Sequence, residues 1–592
     1  MNNCDRGSRI CYPAVKQFIF SAIQSTFLLG FLSASATAAT LNLEPIGSFS
    51  TGIFDDEAAF ISAFDPFTQN LFVTNRSNQS IDILNLSNPM NPWKTGQVSI
   101  PDLNPDLFEN VLHVRSFSYE TKSLFAVSVE NVNRQANGSL LFFNGDGSLF
   151  NGSLETSSIM AGPLPDMFTF TPDGTKLLVA NEGEANDEYT IDPEGSVSLI
   201  DLENLFAGLA PTETKIGLTD FNVGGSKADK LTGEGIRIFG PNATVAQDLE
   251  PEYITVSEDG KKAWVSFQEN NAIGLLDLDT REFTEIVGLG YKDHRLPGNA
   301  LDPSDRDDGI NIKNWPVFGM YQPDEIASYT ANGKTYIVIA NEGSGREFDG
   351  YNEEFAVEDL TLDPDAFPAD IQDEDKLGRL TVTNATGDTD GDGLFEELYA
   401  FGGRSFSILD EDGNIVFDSG DQIEQITAKM FPEYFNASND ENNFDNRSDN
   451  KGPEPEGVTI GKIAGRTYAF IGLERIGGIM TYDITNPENP SFVSYDNNRD
   501  FSVEFNVDEE GDPDPTPEQL AAVGDLGPEG LLFIDGKNSP NGQTLLISTN
   551  EISGTTTIYS VERVPEPGTI LGLLGASALG GGILKRKRSN QA

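Results

Sequence analysis

One unit repeats along the sequence, and this repetition limits the folds that the chain can adopt. Each copy holds an acidic residue, a short alternating strand, a turn usually containing Gly, a second strand ending in Glu or Asn, and a third strand. The plainest copy reads FTFTPDG at 168–174, KLLVANE at 176–182 and GSVSLIDL at 195–202. Alternating apolar residues around Asp-Gly or Asn-Gly turns predict strands joined as hairpins.

Seven copies are countable, starting near Glu57, Glu109, Asp166, Glu252, Asp324, Glu456 and Glu529. They predict an all-β fold, a seven-bladed β-propeller of the WD or YVTN type, over residues 45–563. The copies are spaced by roughly 55 to 130 residues, wider than a usual blade, which predicts long inserted loops. The longest insertion, at about 343–450, runs through the fifth copy and places its third strand at GRLTVTN from 378. A β-helix is the competing repeat architecture, but its coils need shorter and more even periods.

Acidic residues recur at two positions of the unit. In a WD-type blade the innermost strand starts on the face where its antiparallel neighbour ends, so both positions are expected at one rim of the central channel. The rim residues are Asp166, Glu182, Glu252, Glu269, Asp324, Glu342, Glu456, Glu474, Glu529 and Glu551, with Glu130 and Glu57 from the early copies. Two interpretations stay open: a divalent-metal or cationic-ligand site at the channel mouth, or carboxylates that cap turns and amides within their own blades.

The net charge and the scarcity of His and Cys limit the functions that the chain can have. With 94 Asp+Glu against 38 Lys+Arg the net charge is -56, which repels nucleic acid and favours cations. Only two His and two Cys are present, too few for His/Cys zinc sites or most His-dependent triads. We expect His113 and His294 to be packed or paired. We expect Arg346, Arg404 and Arg475 to pair with the acidic rim; the alternative is bidentate binding of a phosphate or sulfate.

A separate acidic segment has the alternating oxygen spacing of a calcium loop, with Gly at the bend. Its candidate ligands are Asp388, Asp390, Asp392, Glu396 and Glu397. The twelfth position holds Tyr399, so the segment is not an EF-hand. Asp302, Asp305, Asp307 and Asp308 form a second, weaker candidate. The sequence therefore predicts Ca²⁺ as the bound ion, and an ordinary acidic turn is the alternative for the 388–397 segment.

The N-terminal segment is predicted to be a secretory signal peptide, residues 1–38. Arg6, Arg9 and Lys16 precede an apolar run at 18–32, which small residues follow at cleavage spacing. Both cysteines lie before this run, so the stability of the mature chain must come from a large core and not from disulfides.

The C-terminal segment, residues 564–588, joins Pro565, Glu566 and Pro567 to an apolar stretch and a basic stop, Lys585-Arg586-Lys587-Arg588. This order resembles the PEP-CTERM sorting signal. The resemblance implies a transient inner-membrane anchor, processing by an exosortase near Pro-Glu-Pro, and a final place at the cell surface or outside the cell. A plain C-terminal membrane anchor is the alternative.

The strings LPDMFTFTPDG, AQDLEPEY, LDPSDRDDGINI and NKGPEPEGV resemble the choice-of-anchor I domain, a secreted bacterial propeller similar to mesenchyme-specific cell-surface glycoproteins. Members are often labelled alkaline phosphatase, but two His cannot furnish the zinc site of the familiar enzymes. The favoured function is an exported, calcium-loaded propeller that binds a surface or extracellular ligand. The alternative is a secreted calcium-dependent phosphoesterase, similar to propeller phytases, in which metals activate water.

Overall fold

The structure, a computed structural model, describes residues 40–119, 122–508 and 512–564. The predicted signal peptide and sorting segment, including Pro565, Glu566 and Pro567, lie outside the described residues. In this part of the chain, no helix is both long and apolar enough to cross a bilayer.

Most strands form four-stranded antiparallel meanders, which we call blades and number along the chain. After β1 (Thr40–Ser50), blade one contains β2 (Ser62–Asp65), β3 (Asn70–Asn75), β4 (Ser80–Asn85) and β5 (Trp93–Ser99). Blade two contains β6 (Phe108–Tyr119), β7 (Lys122–Asn131), β8 (Asn137–Asn144) and β9 (Ser158–Pro163). Blade three contains β10 (Pro165–Phe170), β11 (Lys176–Asn181), β12 (Ser196–Asp201) and β13 (Thr212–Gly217). Blade four contains β15 (Ile254–Val256), β16 (Lys262–Phe267), β17 (Ala272–Asp277) and β18 (Glu282–Gly288), with β14 (Leu231–Thr232) added in parallel to β18.

Blade five is interrupted by an inserted sheet. The strands in this region are β19 (Tyr291–Asp293), β20 (Phe318–Met320), β21 (Ile326–Ala331), β22 (Lys334–Asn341), β23 (Glu347–Phe348), β24 (Tyr351–Asn352), β25 (Glu354–Ala356), β26 (Thr381–Thr383), β27 (Tyr399–Ala400), β28 (Ser405–Asp410) and β29 (Ile415–Asp418). The blade itself is β21-β22-β28-β29, whereas β19, β20, β27, β26 and β25 form the inserted sheet.

The prediction that GRLTVTN forms the third strand of the fifth copy is wrong. GRLTVTN contributes β26 to the inserted sheet, and the blade's third strand is β28, which pairs with β22 from Tyr336↔Asp410 to Asn341↔Ser405. The three residues of β26 are too few to pair along β22, whereas SFSILD supplies six.

The ends of the described chain close the ring. Blade six contains β30 (Pro455–Ile463), β31 (Arg466–Leu473), β32 (Ile479–Asp483) and β33 (Ser491–Asp496), and blade seven contains β34 (Pro528–Ile534), β35 (Leu545–Asn550) and β36 (Thr555–Val564). The outer strand of blade seven is β1, which pairs antiparallel with β36. The first strands of successive blades contact one another in a closed cycle of seven, and β34 contacts β2. The predicted all-β propeller is therefore confirmed.

Apolar cores lie between neighbouring blades. Phe72 of blade one stacks on Phe125 of blade two, with ring centroids 4.0 Å apart, and Phe470 of blade six stacks on Phe533 of blade seven at 5.8 Å. Each inter-blade cluster buries side chains from the facing strands of two or more sheets. This packing holds the first strand of every blade against the channel and fixes what that strand presents there.

Helices are short and lie in the connections. They are α1 (Glu203–Phe206), α2 (Val245–Asp248), α3 (Gln422–Met430) and α4 (Pro517–Val523), with 3-10 turns at Leu154–Thr156, Thr219–Phe221, Ala228–Lys230 and Val357–Asp359.

Candidate functional site

The entry to the first strand has the same backbone conformation in four blades. A residue with positive φ precedes a proline, and the acidic residue follows it. The preceding residues are Leu164 (46°), Gln322 (44°), Glu454 (47°) and Gly527 (64°). A non-Gly residue at positive φ costs of order 1–3 kcal/mol and persists only where the surroundings enforce it. In blades three, six and seven a register shift follows the proline, and such a bulge re-aims the side chain at that point.

These entries direct acidic side chains into one cavity of about 330 Å³ at the mouth of the central channel. We call it the acidic mouth. The carboxylates lining it are Glu57, Asp166, Glu252, Asp324, Glu325, Glu342, Glu456, Glu474, Glu529 and Glu551. Glu182 and Glu269 do not line this cavity, but both act electrostatically on Glu252. Glu130 lines a neighbouring cavity with Arg76 and Arg134.

The capping interpretation does not hold for the first-strand acids. In the described part of the chain, the side chains of Asp166, Glu252, Asp324, Glu456 and Glu529 accept no hydrogen bond from a backbone amide. Glu252 and Glu456 each bury an oxygen, Oε2, that has no hydrogen-bond partner. A buried acceptor without a donor costs about 1–3 kcal/mol, more when it is charged, so these oxygens call for a ligand or a proton.

The acids that end the second strands are better paired on one side of the mouth. Glu342 receives Lys451 and, at 2.7 Å, Gln268 Nε2. Glu474 receives Arg475 Nη1 at 2.9 Å and Asn439 Nδ2 at 3.0 Å. Among the described residues the first-strand acids have no ion pair with a Lys or Arg, and Asp324 and Glu456 are hydrogen-bonded to each other.

Glu454, beside these pairs, is an acidic residue that sequence reasoning missed. It takes ion pairs from Lys451 at 2.9 Å, Arg475 at 3.0 Å and Arg447 at 2.6 Å, and these cations hold its pKa well below the usual range despite burial. The signal was present in NKGPEPEG, where Lys451 and Glu454 closely precede the rim acid Glu456.

The predicted arginine pairs are found in different places. Arg475 pairs with rim residue Glu474 as expected. Arg346 pairs with Asp248 and, at 2.6 Å, with Glu250, which flank the rim. Arg404 pairs with Glu424 of α3 at 2.8 Å and does not reach the acidic mouth.

Burial and mutual repulsion raise the pKa values of the mouth acids that have no ion pair in the described part of the chain. Burial is the largest cause for Glu252, Asp324, Glu456 and Glu529, whose pKa values lie well above the usual range, and neighbouring carboxylates add to it. The pKa of Glu551 is raised to about 7, first by burial and then by Glu57. The mouth therefore holds either shared protons or a positive charge.

Two overlapping groups have the geometry of a cation site. Asp324, Glu456 and Glu529 each offer an oxygen within 4.8 Å of the others, and Glu342, Glu456 and Glu474 do the same. Glu456 belongs to both groups. Oxygens with this spacing suit a hard cation such as Ca²⁺, which takes carboxylate oxygens at about 2.3–2.6 Å.

The floor of the acidic mouth is a hydrogen-bonded layer that sequence reasoning missed. The Tyr253 hydroxyl donates a hydrogen bond to Glu325 Oε1 at 2.7 Å and accepts one from Arg115 Nη2 at 3.0 Å. The backbone amide of Val458 donates to the other oxygen of Glu325, Oε2, at 2.5 Å. His113 packs beside Tyr253, with ring centroids 6.0 Å apart, and burial holds its pKa well below the usual range. His113 is therefore a neutral packed residue.

The other histidine is also neutral. His294 Nδ1 lies 2.6 Å from the carbonyl of Asn299, and burial lowers the pKa of His294 to about 3.

The 388–397 loop brings together four of its five predicted ligands. Asp388, Asp390, Asp392 and Glu396 offer oxygens within 4.8 Å of one another. Glu397 instead accepts a hydrogen bond from the Tyr399 hydroxyl at 2.6 Å, which turns it away from the group.

The fold and this cluster define a class: a β-propeller with converging, buried carboxylates at its channel mouth. The chain belongs to the choice-of-anchor I domain family, whose domain matches residues 60–487, and the PEP-CTERM protein-sorting motif matches residues 563–588. Both resemblances predicted from the sequence are confirmed. The sorting motif implies an exported protein with a C-terminal membrane-anchoring tail that an exosortase processes.

Two animal proteins are similar in sequence. The mesenchyme-specific cell surface glycoprotein of Strongylocentrotus purpuratus is 30% identical over 282 residues, 41% of this chain and 36% of that protein. Gigasin-3a of Magallana gigas is 29% identical over 203 residues, 33% of this chain and 69% of that protein. The match thus spans about a third of the length of the sea urchin relative.

Solved structures share a looser likeness. The β-propeller domain of Myceliophteria thermophila Cps50 (Swd1) has a TM-score of 0.40 at 8% identity, covering 88% of this chain and 100% of that one. Streptogramin B lyase has a TM-score of 0.39 at 12% identity, covering 89% and 100%.

Proposed function

We propose that this exported propeller acts at the cell surface or in the extracellular matrix, and that it binds Ca²⁺ at the acidic mouth and in the 388–397 loop. The main support is that the first-strand carboxylates converge without accepting hydrogen bonds from backbone amides. Among them, Glu456 Oε2 is buried and has no hydrogen-bond partner. Calcium fits because every candidate ligand is an oxygen and because the rim is irregular, which Ca²⁺ tolerates better than Mg²⁺.

A cation bound in the acidic mouth would itself bind an extracellular ligand. With calcium coordinated by the first-strand acids, Lys451 and Arg475 stand beside it on the same rim. This arrangement favours an anionic group on a surface polymer or small ligand, held by the cation's open positions. The sea urchin relative is a cell surface glycoprotein by name, which supports a place at the surface.

The test is calcium titration of the purified chain by calorimetry. The variant Glu456→Gln keeps the shape of the side chain but removes the ligand shared by both groups. Exposed Glu488→Gln is the matched control for loss of one negative charge. The proposal expects a loss of at least about tenfold in affinity, about 1.4 kcal/mol, for Glu456→Gln alone. Equal affinity in both variants would reject the acidic mouth as a calcium site.

A second candidate function is calcium-dependent phosphoester hydrolysis. The observation that favours it is the sharing of Glu456 by two oxygen groups, since two neighbouring cations can activate water and clamp a phosphoryl group. Turnover of p-nitrophenyl phosphate and phytate, with calcium and with chelator, tests it. Activity that needs calcium and disappears in Glu456→Gln would support hydrolysis. Calcium binding without turnover would leave the protein a binding propeller.

A further inference from the structure

We infer a third calcium site, buried between the 301–311 loop and the 435–450 segment, with Asp302, Asp445 and Asn436 as its oxygen donors. This site uses none of the carboxylates of the acidic mouth or of the 388–397 loop. It replaces the sequence cluster of four aspartates, of which the structure retains Asp302 and adds partners from far along the chain.

Two buried oxygens without hydrogen bonds mark the place. Asp302 and Asn436 are both 0% exposed, and Oδ1 of each has no hydrogen-bond partner. The other oxygen of Asp302 accepts the amide of Asn311, and the Asn436 amide nitrogen donates to Glu424 Oε1 at 3.0 Å and Ser448 Oγ at 2.8 Å. Each side chain is thus held in place while one acceptor is left over, which is what a ligand position requires.

Hydrogen bonds connect these residues into one cluster. Arg404 Nη1 donates to the Asp302 carbonyl at 2.7 Å and to Glu424 Oε1 at 2.8 Å. Glu424 is bonded to Asn436, and Ser448 Oγ donates to Asp445 Oδ1 at 2.5 Å. The two aspartates are therefore joined through Arg404 and the Glu424, Asn436 and Ser448 network, and the Asp302 carboxylate acts electrostatically on Asp445.

The charge around the cluster is unbalanced. The pKa of Asp302 is raised to about 7 and that of Asp445 to about 8, chiefly by burial, with the nearby carboxylates Glu424 and Asp307 contributing to both. The cation facing them is Arg404, which lowers the Asp302 pKa but whose side chain bonds Glu424 and backbone carbonyls. Asp305, in the same loop, is instead paired with Arg306 and Arg379. A divalent cation between Asp302 and Asp445 would relieve the repulsion that remains.

The donor set selects a hard cation. Two carboxylates and an amide oxygen contain no nitrogen or sulfur ligand, which disfavours zinc and copper and suits calcium. Bound there, the ion would tie the 301–311 loop to the 435–450 segment, because each contributes a donor. Calcium should then order both segments together.

Calcium stoichiometry of the full chain tests the inference. Asp445→Asn and Asp302→Asn should each lower the number of bound ions by one, whereas Asp305→Asn, a matched change at an ion-paired neighbour, should keep it. The experiment is repeated in a Glu456→Gln background, so that loss of the acidic-mouth site and loss of this site are counted separately. Unchanged stoichiometry in Asp302→Asn and Asp445→Asn, or the same loss in Asp305→Asn, would overturn the inference.

Amide hydrogen exchange of the unsubstituted chain covers the case in which the variants fail to fold. We expect residues 301–311 and 435–450 to exchange at least about tenfold more slowly in calcium than in EDTA. The same comparison in Glu456→Gln should give the same slowing, since the sites are independent. Equal exchange in calcium and EDTA would overturn the inference.

Discussion

Asp324 and Glu456 lie beside the first strands of neighbouring blades, and a carboxylate oxygen of one lies within 4.8 Å of a carboxylate oxygen of the other. Burial raises the pKa of each. Asp324 raises the pKa of Glu456 further, whereas a hydrogen bond between the two side chains acts to lower the pKa of Asp324. The ring closure of the propeller enforces this approach, because adjacent first strands pack against the channel. Ionising both acids therefore costs stability unless a proton or a cation lies between them.

Stability in EDTA should fall as the pH rises from about 4.5 to about 7.5. Asp324, Glu456, Glu529 and Glu551 have folded-state pKa values above their unfolded values, so the folded chain binds more protons in this range. The stability they contribute is full below the unfolded pKa and is lost as pH passes the folded pKa, by about 1.4 kcal/mol per pKa unit per group. Denaturation midpoints across this range give the measurement. A midpoint that rises towards pH 7.5 would contradict the account.

Calcium should reverse this loss. An ion that binds only the folded chain adds about 2.7 kcal/mol at a hundredfold excess over its Kd. Since binding needs ionised carboxylates, the gain should be larger at pH 7.5 than at pH 5. Thermal unfolding in calcium and in EDTA at both pH values measures it, and the same unfolding temperature with and without calcium would show that no site is filled.

Glu456→Gln should not destabilise the chain in EDTA, because it removes a repulsive charge from the acidic mouth. In calcium the same variant should lose the part of the stability gain due to the mouth. A loss of about 1–3 kcal/mol in EDTA would instead indicate a structural hydrogen bond that Glu456 makes in the folded chain.

The 388–397 loop should bind calcium through four residues and not five. Asp390→Asn with Asp392→Asn should abolish the loop's binding, whereas Glu397→Gln should keep it, since Glu397 bonds Tyr399. Terbium luminescence or calorimetry on the two variants separates them. Equal weakening by Glu397→Gln would place Glu397 among the ligands.

Sorting should depend on Pro565 and Pro567. Proline keeps the preceding residue extended, which would present the segment to a protease outside the membrane. Replacing both by Ala should leave the precursor unprocessed in a strain that contains the exosortase. The control is the unsubstituted chain in a strain without the exosortase, where it should also stay unprocessed. Normal processing of the double variant would contradict this reading of the motif.

The propeller could be predicted because the inner strands carry a clear signal. Strands such as KLLVAN at Lys176–Asn181 are apolar on both faces or alternate, and Asp-Gly turns punctuate them. The outermost strands escaped prediction: Trp93–Ser99 is mostly exposed and has no apolar period to detect. The closure by β1 also escaped, because pairing between the two ends of a chain leaves no local pattern.

The sequence repeat also made part of the candidate site predictable, namely the placement of its acidic residues at one rim. A repeat shows which acids share a rim, so Asp166, Glu252 and Glu456 could be placed together. It does not show which of them find partners: Lys451 comes from the segment before the sixth copy, and Arg475, within that copy, pairs with Glu454 as well as Glu474. The Asp302 and Asp445 cluster depends on contacts made through the insertion, which no sequence period reports.

Calcium binding in the acidic mouth can be seen directly in a crystal structure of the chain grown with calcium, with anomalous data collected at long wavelength. The account predicts an anomalous peak in the acidic mouth, within about 2.6 Å of a Glu456 oxygen and of oxygens from Asp324 and Glu529 or from Glu342 and Glu474. An acidic mouth without a peak at saturating calcium, its first-strand carboxylates instead bonded to one another or to backbone amides, would contradict it.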